Sequence, residues 1–386
     1  MSDFPSTTEI VVIGGGVMGA STAYHLARRG VKDIVLLEKQ EIFGLGATGK
    51  CAGGIRYQFS TEVNIRLSLH SLPMLDRFAD EMGQSIDRRK TGYMFLLTNE
   101  QEVQTFRNTV ALQHRLGVNT EWLSGDDVRR RVPQLAADDV LAGTINAEDG
   151  LADPAGVVLG YINRGRELGV QPVTDAPVTA IDINANGTYT VHTPQGQITC
   201  EKIVNAAGPW SAVVSDMVGV SLPVVPIRQQ MLTTTPLPEL RPDFPFVIDF
   251  ARSLYFHPEG DGLLTGMSNP NQPVSFDESV DEEWEFTHLE AAIERLPLLE
   301  KAGLRAHWAG LYEVTPDAHP IISGIAERPN YYVVAGFSGH GFMHGPIAGL
   351  LMTEIILDGA AHTEDIRSLD YARFAEGRLV REYNVI

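Results

Sequence analysis

A short apolar run rich in β-branched residues spans positions 9–13, glycines follow at once, and apolar side chains then recur at helical spacing over 17–29. The pattern predicts strand, turn and helix. Gly30 supplies a helix stop, and residues 34–37 read as a second buried strand ending at Glu38. These elements complete a βαβ unit, which sets the class as α/β with a parallel sheet.

Beyond Lys39 the pattern dissolves into a small-residue loop over 44–54, too rich in glycine for anything but closely packed backbone. Helices are predicted near 62–82, over 100–116 and over 153–168, with a strand at 91–97. Runs at 177–183, 188–193 and 198–204 alternate as a small antiparallel meander, closed by a second small-residue turn at 205–210. From 222 to 267 prolines and β-branched residues point to antiparallel strands, and the acidic stretch 277–285 is expected to face water. A strand at 331–335 runs into a glycine turn over 336–345 and a helix over 346–357, the same order of elements as at the start of the chain. The expected architecture is α/β in a two-domain, α+β sense. A Rossmann-like nucleotide domain is built from 1–90, 145–222 and 320–386, and an antiparallel β-rich substrate domain is inserted as 91–144 and 223–319.

The chain has 386 residues, 44% of them hydrophobic, enough for a sizeable core in two domains and too many for disorder. A net charge of −19 gives no field for phosphate backbones, so nucleic-acid binding is not expected and an anionic ligand must find a local cation. Cys51 and Cys200 lie far apart with no Cys-x-x-Cys spacing, so no disulfide framework and no metal site is expected. Residues 1–5 lack the basic region of a secretory signal and no apolar stretch reaches the roughly 18 residues of a membrane span. A cytoplasmic protein is expected.

Gly14-x-Gly16-x-x-Gly19 sits between the predicted strand and helix, the context that a dinucleotide fingerprint requires. Gly14 permits the tight turn, Gly16 lets backbone approach a pyrophosphate, and Gly19 allows close helix–strand packing. The helix start at Val17 and Met18 offers free N–H groups and a partial positive charge. Glu38 stands 19 residues beyond Gly19, where a carboxylate accepts ribose hydroxyls. A nicotinamide enzyme of the common type would continue with regular crossover units. Here the chain departs into a glycine loop and a meander, which suits a flavin held along its whole length; on these residues alone the nicotinamide enzyme stays open as the alternative.

Five segments carry a family resemblance: 11–19 with Glu38-Lys39, Gly46-Ala-Thr-Gly-Lys-Cys-Ala-Gly-Gly-Ile-Arg56, Asn205-Ala-Ala-Gly-Pro-Trp210, Tyr312-Glu-Val-Thr-Pro-Asp317 and Ala335-Gly-Phe-Ser-Gly-His-Gly-Phe342. With them the chain resembles the flavin amine oxidoreductases of the D-amino acid oxidase superfamily. The branch is that of sarcosine oxidase and its β subunit, glycine oxidase, dimethylglycine dehydrogenase and the β subunit of dye-linked L-proline dehydrogenase. The resemblance covers nearly the full length and implies FAD, a p-hydroxybenzoate-hydroxylase-like fold and oxidation at a carbon–nitrogen bond.

By the same resemblance, the loop with Gly46, Ala47, Thr48, Cys51, Ala52 and Gly53 wraps the ribityl chain and isoalloxazine ring. Val178, on the first meander strand, meets the adenine, while Ala207, Gly208 and Trp210 line the dinucleotide. Gly339, His340 and Gly341, flanked by Gly336 and Phe342, put N–H groups near the flavin pyrimidine, where such dipoles stabilise the reduced anionic flavin. Arg56 holds the substrate carboxylate with two parallel donors that also align the α-carbon. Tyr255 and Tyr312 are candidates for the opposite wall, with His344 and Gln58 as further pocket candidates. Core packing is the competing reading for His340 and both tyrosines, and a surface ion pair for Arg56.

Four departures from the family pattern shape the expectations. Gly310 replaces the cysteine that tethers flavin in monomeric sarcosine oxidases, and Lys50 replaces the tethering histidine of dimethylglycine dehydrogenases, so FAD is expected to be non-covalent. Met343 stands where monomeric sarcosine oxidases place a carboxylate-binding lysine. Leu264 falls where those enzymes place an oxygen-activating lysine, leaving Lys50 as the nearest substitute cation. The expected activity is FAD-dependent oxidation of a small secondary or N-methylated amino acid, sarcosine-like or proline, to an imine that hydrolyses. Electrons would pass to O2 or a partner protein. The reading from a different class is a flavoprotein assembly or electron-transfer subunit without amine oxidation of its own.

Overall fold

The structure, a computed structural model, describes residues 4–385. Thr7–Ile13 lies inside an eight-stranded sheet, parallel to Ile34–Leu37 on one side and Gly196–Asn205 on the other. Its apolar run is continuous because both faces are covered. Ile10 and Val12 point to a helical layer, whereas Val11 and Ile13 point to a core shared with Val191 and Ile198. The sheet is extended by Gln171–Val173 beyond Ile34–Leu37, and by Tyr331–Ala335 and Ile321–Gly324 beyond Gly196–Asn205.

Helices Val17–Arg28, Pro154–Leu168 and Gly341–Asp358 pack together over this sheet. Two glycines let the first and last of them touch: a Cβ at Gly345 would lie 2.4 Å from the Val17 side chain, and one at Gly349 would lie 2.2 Å from the Ser21 hydroxyl. The last helix begins at Gly341, not at Pro346 as the sequence suggests. Proline favours the first turn of a helix, but here it is tolerated inside one, and the helix N-terminus shifts onto the glycine turn.

The second sheet also has eight strands, running from Leu304–Val314 through Val225–Thr234, Gly262–Met267, Leu254–Glu259, Phe246–Asp249, Tyr93–Leu97 and Ala142–Asn146 to Glu121–Ser124. It is antiparallel except that Phe246–Asp249 pairs with Tyr93–Leu97 in parallel, a pairing the sequence did not indicate. Along Tyr93–Leu97 the side chains alternate: Met94 and Leu96 fill an outer core, while Tyr93, Phe95 and Leu97 join Phe246, Tyr255 and Leu264 on the inner side.

Other expectations need correction. The helix near 62–82 divides at Arg77 into Glu62–Asp76, which carries Pro73, and Phe78–Met82. The antiparallel meander forms as expected from Ala180–Ile183, Tyr189–Thr193 and Gly196–Asn205, and the last of these strands also continues into the first sheet, parallel to Thr7–Ile13 and Tyr331–Ala335. The acidic stretch does not simply face water: Asp277 and Asp281 pair with Arg228 at 2.9 and 3.2 Å, and Glu278 pairs with Lys50. Asp281 also caps helix Glu282–Arg295, accepting the Trp284 N–H. No helix among the described residues is long and apolar enough to cross a membrane.

Candidate active site

The two sheets face each other across one long cleft. Its lining runs from the glycine turn at Gly14 to Arg56 and Tyr255. At one end, the Gly14 N–H donates to Leu37 O at 2.8 Å, closing the turn after the first strand. Gly14 has φ +108°, and a Cβ there would lie 2.3 Å from Ala206 O; one at Gly19 would lie 1.9 Å from Gly14 O. Gly16, the N-cap of helix Val17–Arg28, meets only the Thr48 hydroxyl, which accepts the Val17 N–H at 3.2 Å.

Glu38 is buried at the end of its strand, and its carboxylate accepts the N–H of Gly15 at 2.7 Å and of Gln40 at 2.9 Å. It thus ties the glycine turn to the second strand and still has lone pairs for ligand hydroxyls. Lys39 stacks over the Trp210 ring, 2.9 Å from its centroid, and burial lowers its pKa. A free helix N-terminus, an open glycine and a carboxylate are the parts that a dinucleotide needs. These residues fit FAD.

At the other end, Arg56 is buried with its guanidinium 3.9 Å above the Phe59 ring. It donates to two neutral acceptors, the carbonyls of Gln58 and Asn384, and forms no ion pair among the described residues. Burial lowers its pKa, opposed at longer range by Glu382 and Asp149. Tyr93 stacks on Phe246 at 4.0 Å, and Tyr255 stacks on Phe246 at 5.7 Å. Tyr312 lies against Gly339, where a Cβ would come within 2.4 Å of its ring. Burial pushes the Tyr312 phenol up to about 12 and that of Tyr255 well above its usual value, so both keep their protons as donors at neutral pH.

Behind Arg56, residues 381–385 are clasped by Glu382. Its carboxylate accepts from the backbone N–H and hydroxyl of both Ser60 and Thr61, from Asn64 Nδ2 and from the Asn384 N–H. Burial alone would raise this carboxyl, but those hydrogen bonds outweigh it and hold its pKa below the usual range. Asp149, also buried, accepts the Tyr57 N–H at 2.8 Å and the Gln58 amide at 3.0 Å; burial pushes it up to about 7.

Most residues expected from the sequence come together in this cleft: Gly14, Gly16, Val17, Met18, Glu38, Lys39, Gly46, Ala47, Thr48, Lys50, Cys51, Ala52, Gly53, Arg56, Val178, Ala207, Gly208, Trp210, Tyr255, Gly310, Tyr312, Gly339, His340, Gly341 and Phe342. Val178 lies ahead of the meander strand, which starts at Ala180. Gly19, Gly336, Gln58 and His344 do not line the cleft. Gly19 packs helix on turn, and Gly336 turns the chain at φ +84°. Both His340 ring nitrogens are spent, one facing Ala318 O at 3.0 Å and the other His344 Nδ1 at 3.1 Å. His344 continues to the Ser68 hydroxyl at 2.9 Å. Only the backbone of His340 is therefore available to a ligand. Lys50 reaches Glu278 at 2.8 Å. The sequence reading missed Tyr93, Phe246, Glu313 and Val385, which also line the cleft. Residues 93–97, Tyr-Met-Phe-Leu-Leu, are a continuous apolar run with no period of two to single out Tyr93.

Residues 9–355 match the family DAO, FAD dependent oxidoreductase. Mitochondrial dimethylglycine dehydrogenase of Rattus norvegicus is 31% identical over 97% of this chain and 46% of its own length. Mitochondrial sarcosine dehydrogenase of Homo sapiens is 30% identical over 98% of this chain and 43% of its own. The chain thus spans about half the length of these curated relatives. The solved L-proline dehydrogenase of P. horikoshii superposes with TM-score 0.90 at 32% identity, covering 97% of this chain and 100% of that one. A glycine oxidase of Geobacillus kaustophilus shares the fold, with TM-score 0.86 at 24% identity over 95% of this chain and 99% of its own. With its glycine turn, the Glu38 carboxylate and the cleft in place, the chain belongs to the DAO family of FAD-dependent oxidoreductases.

Proposed function

We propose that this chain oxidises the C–N bond of a small secondary or N-methylated amino acid, of the sarcosine, dimethylglycine or proline kind. The observation that carries the reading is Arg56, a buried cation at the end of the cleft that donates to the carbonyls of Gln58 and Asn384 and forms no ion pair among the described residues. A substrate carboxylate is the partner its charge lacks, and the guanidinium fork would fix the α-carbon as well as bind the acid. Tyr255 and Tyr312, protonated donors on the opposite wall, would orient the amine or a carboxylate oxygen. The Tyr93–Phe246 stack walls off water and strengthens these polar contacts. Bound FAD supplies the acceptor for the hydride equivalent released at the α-carbon. The imine product hydrolyses in water and asks nothing of the protein.

The names of the relatives support the substrate class, and the sheet membership of the strands supports a dinucleotide part from 1–90, 145–222 and 320–386 with a substrate wall from 91–144 and 223–319. The test is an anaerobic screen with sarcosine, dimethylglycine, proline and glycine, following the visible flavin absorbance. Bleaching with a secondary or N-methylated amino acid is expected. Silence with every amine would favour an assembly or electron-transfer subunit instead.

A further inference from the structure

Glu313 lies on strand Leu304–Val314, next to Tyr312, and faces the cleft. Its backbone carbonyl accepts the Ser338 N–H at 3.0 Å, and its Oε1 accepts the Phe337 N–H at 3.4 Å. Oε2 is shut away from water and has no hydrogen-bond partner among the described residues. Across from it stands Gly208, where even an added Cβ would stop 3.8 Å short. Burial pushes this carboxyl up to about 7, opposed by the N–H groups of Gly336 and Phe337. Buried polar atoms are nearly always paired, so an open carboxyl oxygen on a ligand cleft marks a missing donor.

The position along the cleft says which donor. Ala206 and Ala207 pack on Gly14, so the turn 205–210 abuts the pyrophosphate end. Gly339 packs on the Tyr312 ring, so the turn 336–341 abuts the Arg56 end. Glu313 touches both turns and therefore sits between the two ends. In FAD the stretch joining pyrophosphate to ring is the ribityl chain, a polyol whose hydroxyls donate; the phosphates have no proton to offer and would repel an anion.

We propose that Glu313 Oε2 accepts a hydrogen bond from one hydroxyl of the ribityl chain, making Glu313 an anchor for the middle of the cofactor. The proposal rests on FAD occupying this cleft and does not depend on which amine is oxidised. It is tested by reconstituting the apoprotein with FAD and with analogues lacking the 2′, 3′ or 4′ ribityl hydroxyl, reading Kd by fluorescence quenching. Glu313→Leu should weaken FAD roughly tenfold, the size of one hydrogen bond, and Glu313→Gln should recover part of that loss. One deoxy analogue should bind wild type about as weakly as FAD binds Glu313→Leu, with no further loss when the two changes are combined. Equal FAD affinity in wild type and both variants, or the same loss with every analogue, would overturn the proposal in favour of a carboxyl that only ties the glycine turn. Wild-type apoprotein that does not take up FAD would overturn the cofactor reading itself, a separate outcome.

Discussion

The Lys50 ammonium lies 2.8 Å from Glu278 Oε1, with the two side chains 29% and 27% exposed. A pair this accessible contributes at most about 1 kcal/mol to stability. Its electrostatic effect matters more, because Glu278 offsets the one cation that the sequence offered as an oxygen activator. Reduced flavin should therefore return slowly in air-saturated buffer, Lys50→Met should change that rate little, and Glu278→Gln should raise it. Stopped-flow reoxidation decides: a fast wild-type return that Lys50→Met abolishes would show that Lys50 acts despite its partner.

The flavin should leave the polypeptide on acid precipitation. A Cβ at Gly310 would sit 2.9 Å from the Lys50 Cβ, so Lys50 occupies the ground a tethering cysteine would need. The neighbouring thiol of Cys51 is pushed up to about 11 by burial and is protonated, hence a poor nucleophile. A yellow pellet after trichloroacetic acid would contradict this and point to Cys51.

Arg56→Ala should keep FAD yet lose carboxylate recognition. Truncating one member of a buried charge pair costs about 2–5 kcal/mol, or roughly 30- to several-thousand-fold in kcat/KM. It also strands the Gln58 and Asn384 carbonyls, so the melting temperature should drop. The decisive comparison sets sarcosine against dimethylamine: wild type should prefer the acid strongly and the variant should not. An undiminished preference would make Arg56 purely structural.

Stability should fall steadily between pH 6.5 and 4. Burial lowers six histidines: His25 to about 3, His257, His288 and His340 to about 4, and His319 and His344 in the same direction. A histidine of this kind binds fewer protons folded than unfolded, so its stabilisation is complete above its unfolded pKa and is lost as pH falls towards the folded one. Asp149 and Glu313, raised to about 7, act oppositely: each stabilises below its unfolded pKa and loses that contribution as pH rises through 7. Six outweigh two. Calorimetry from pH 7 to 4 should show a falling melting temperature, less steep in His288→Gln; a flat profile would contradict the sign.

What could be read from the sequence was what is local. Gly14, Gly16 and Gly19 serve contacts within one βαβ unit, and Glu38 ends the strand that completes it, so spacing alone finds them. Strand Glu121–Ser124 escaped because only Leu123 is buried, too little for a period of two. The start of the last helix was misplaced by Pro346, a residue that ordinarily marks a first turn. Glu382 gave no signal, since its partners at Ser60, Thr61 and Asn64 lie more than 300 positions away. The partners of Asp277, Glu278 and Asp281 are likewise on other elements.

The Glu382 clasp also sets a timetable. Thr61 and Glu382 are 321 positions apart, a gap of roughly 15 to 60 s at ribosomal speeds of about 5–20 residues per second. For that interval the nascent chain carries its complete glycine turn and ribose acid, while Arg56 lacks its Asn384 acceptor and Ser60 and Thr61 lack theirs. The first glycine turn and Glu38 thus emerge early, whereas the turn at 336–341 and the surroundings of Arg56 are completed late. The surroundings of Arg56 are therefore complete only once Glu382 and Asn384 have been made.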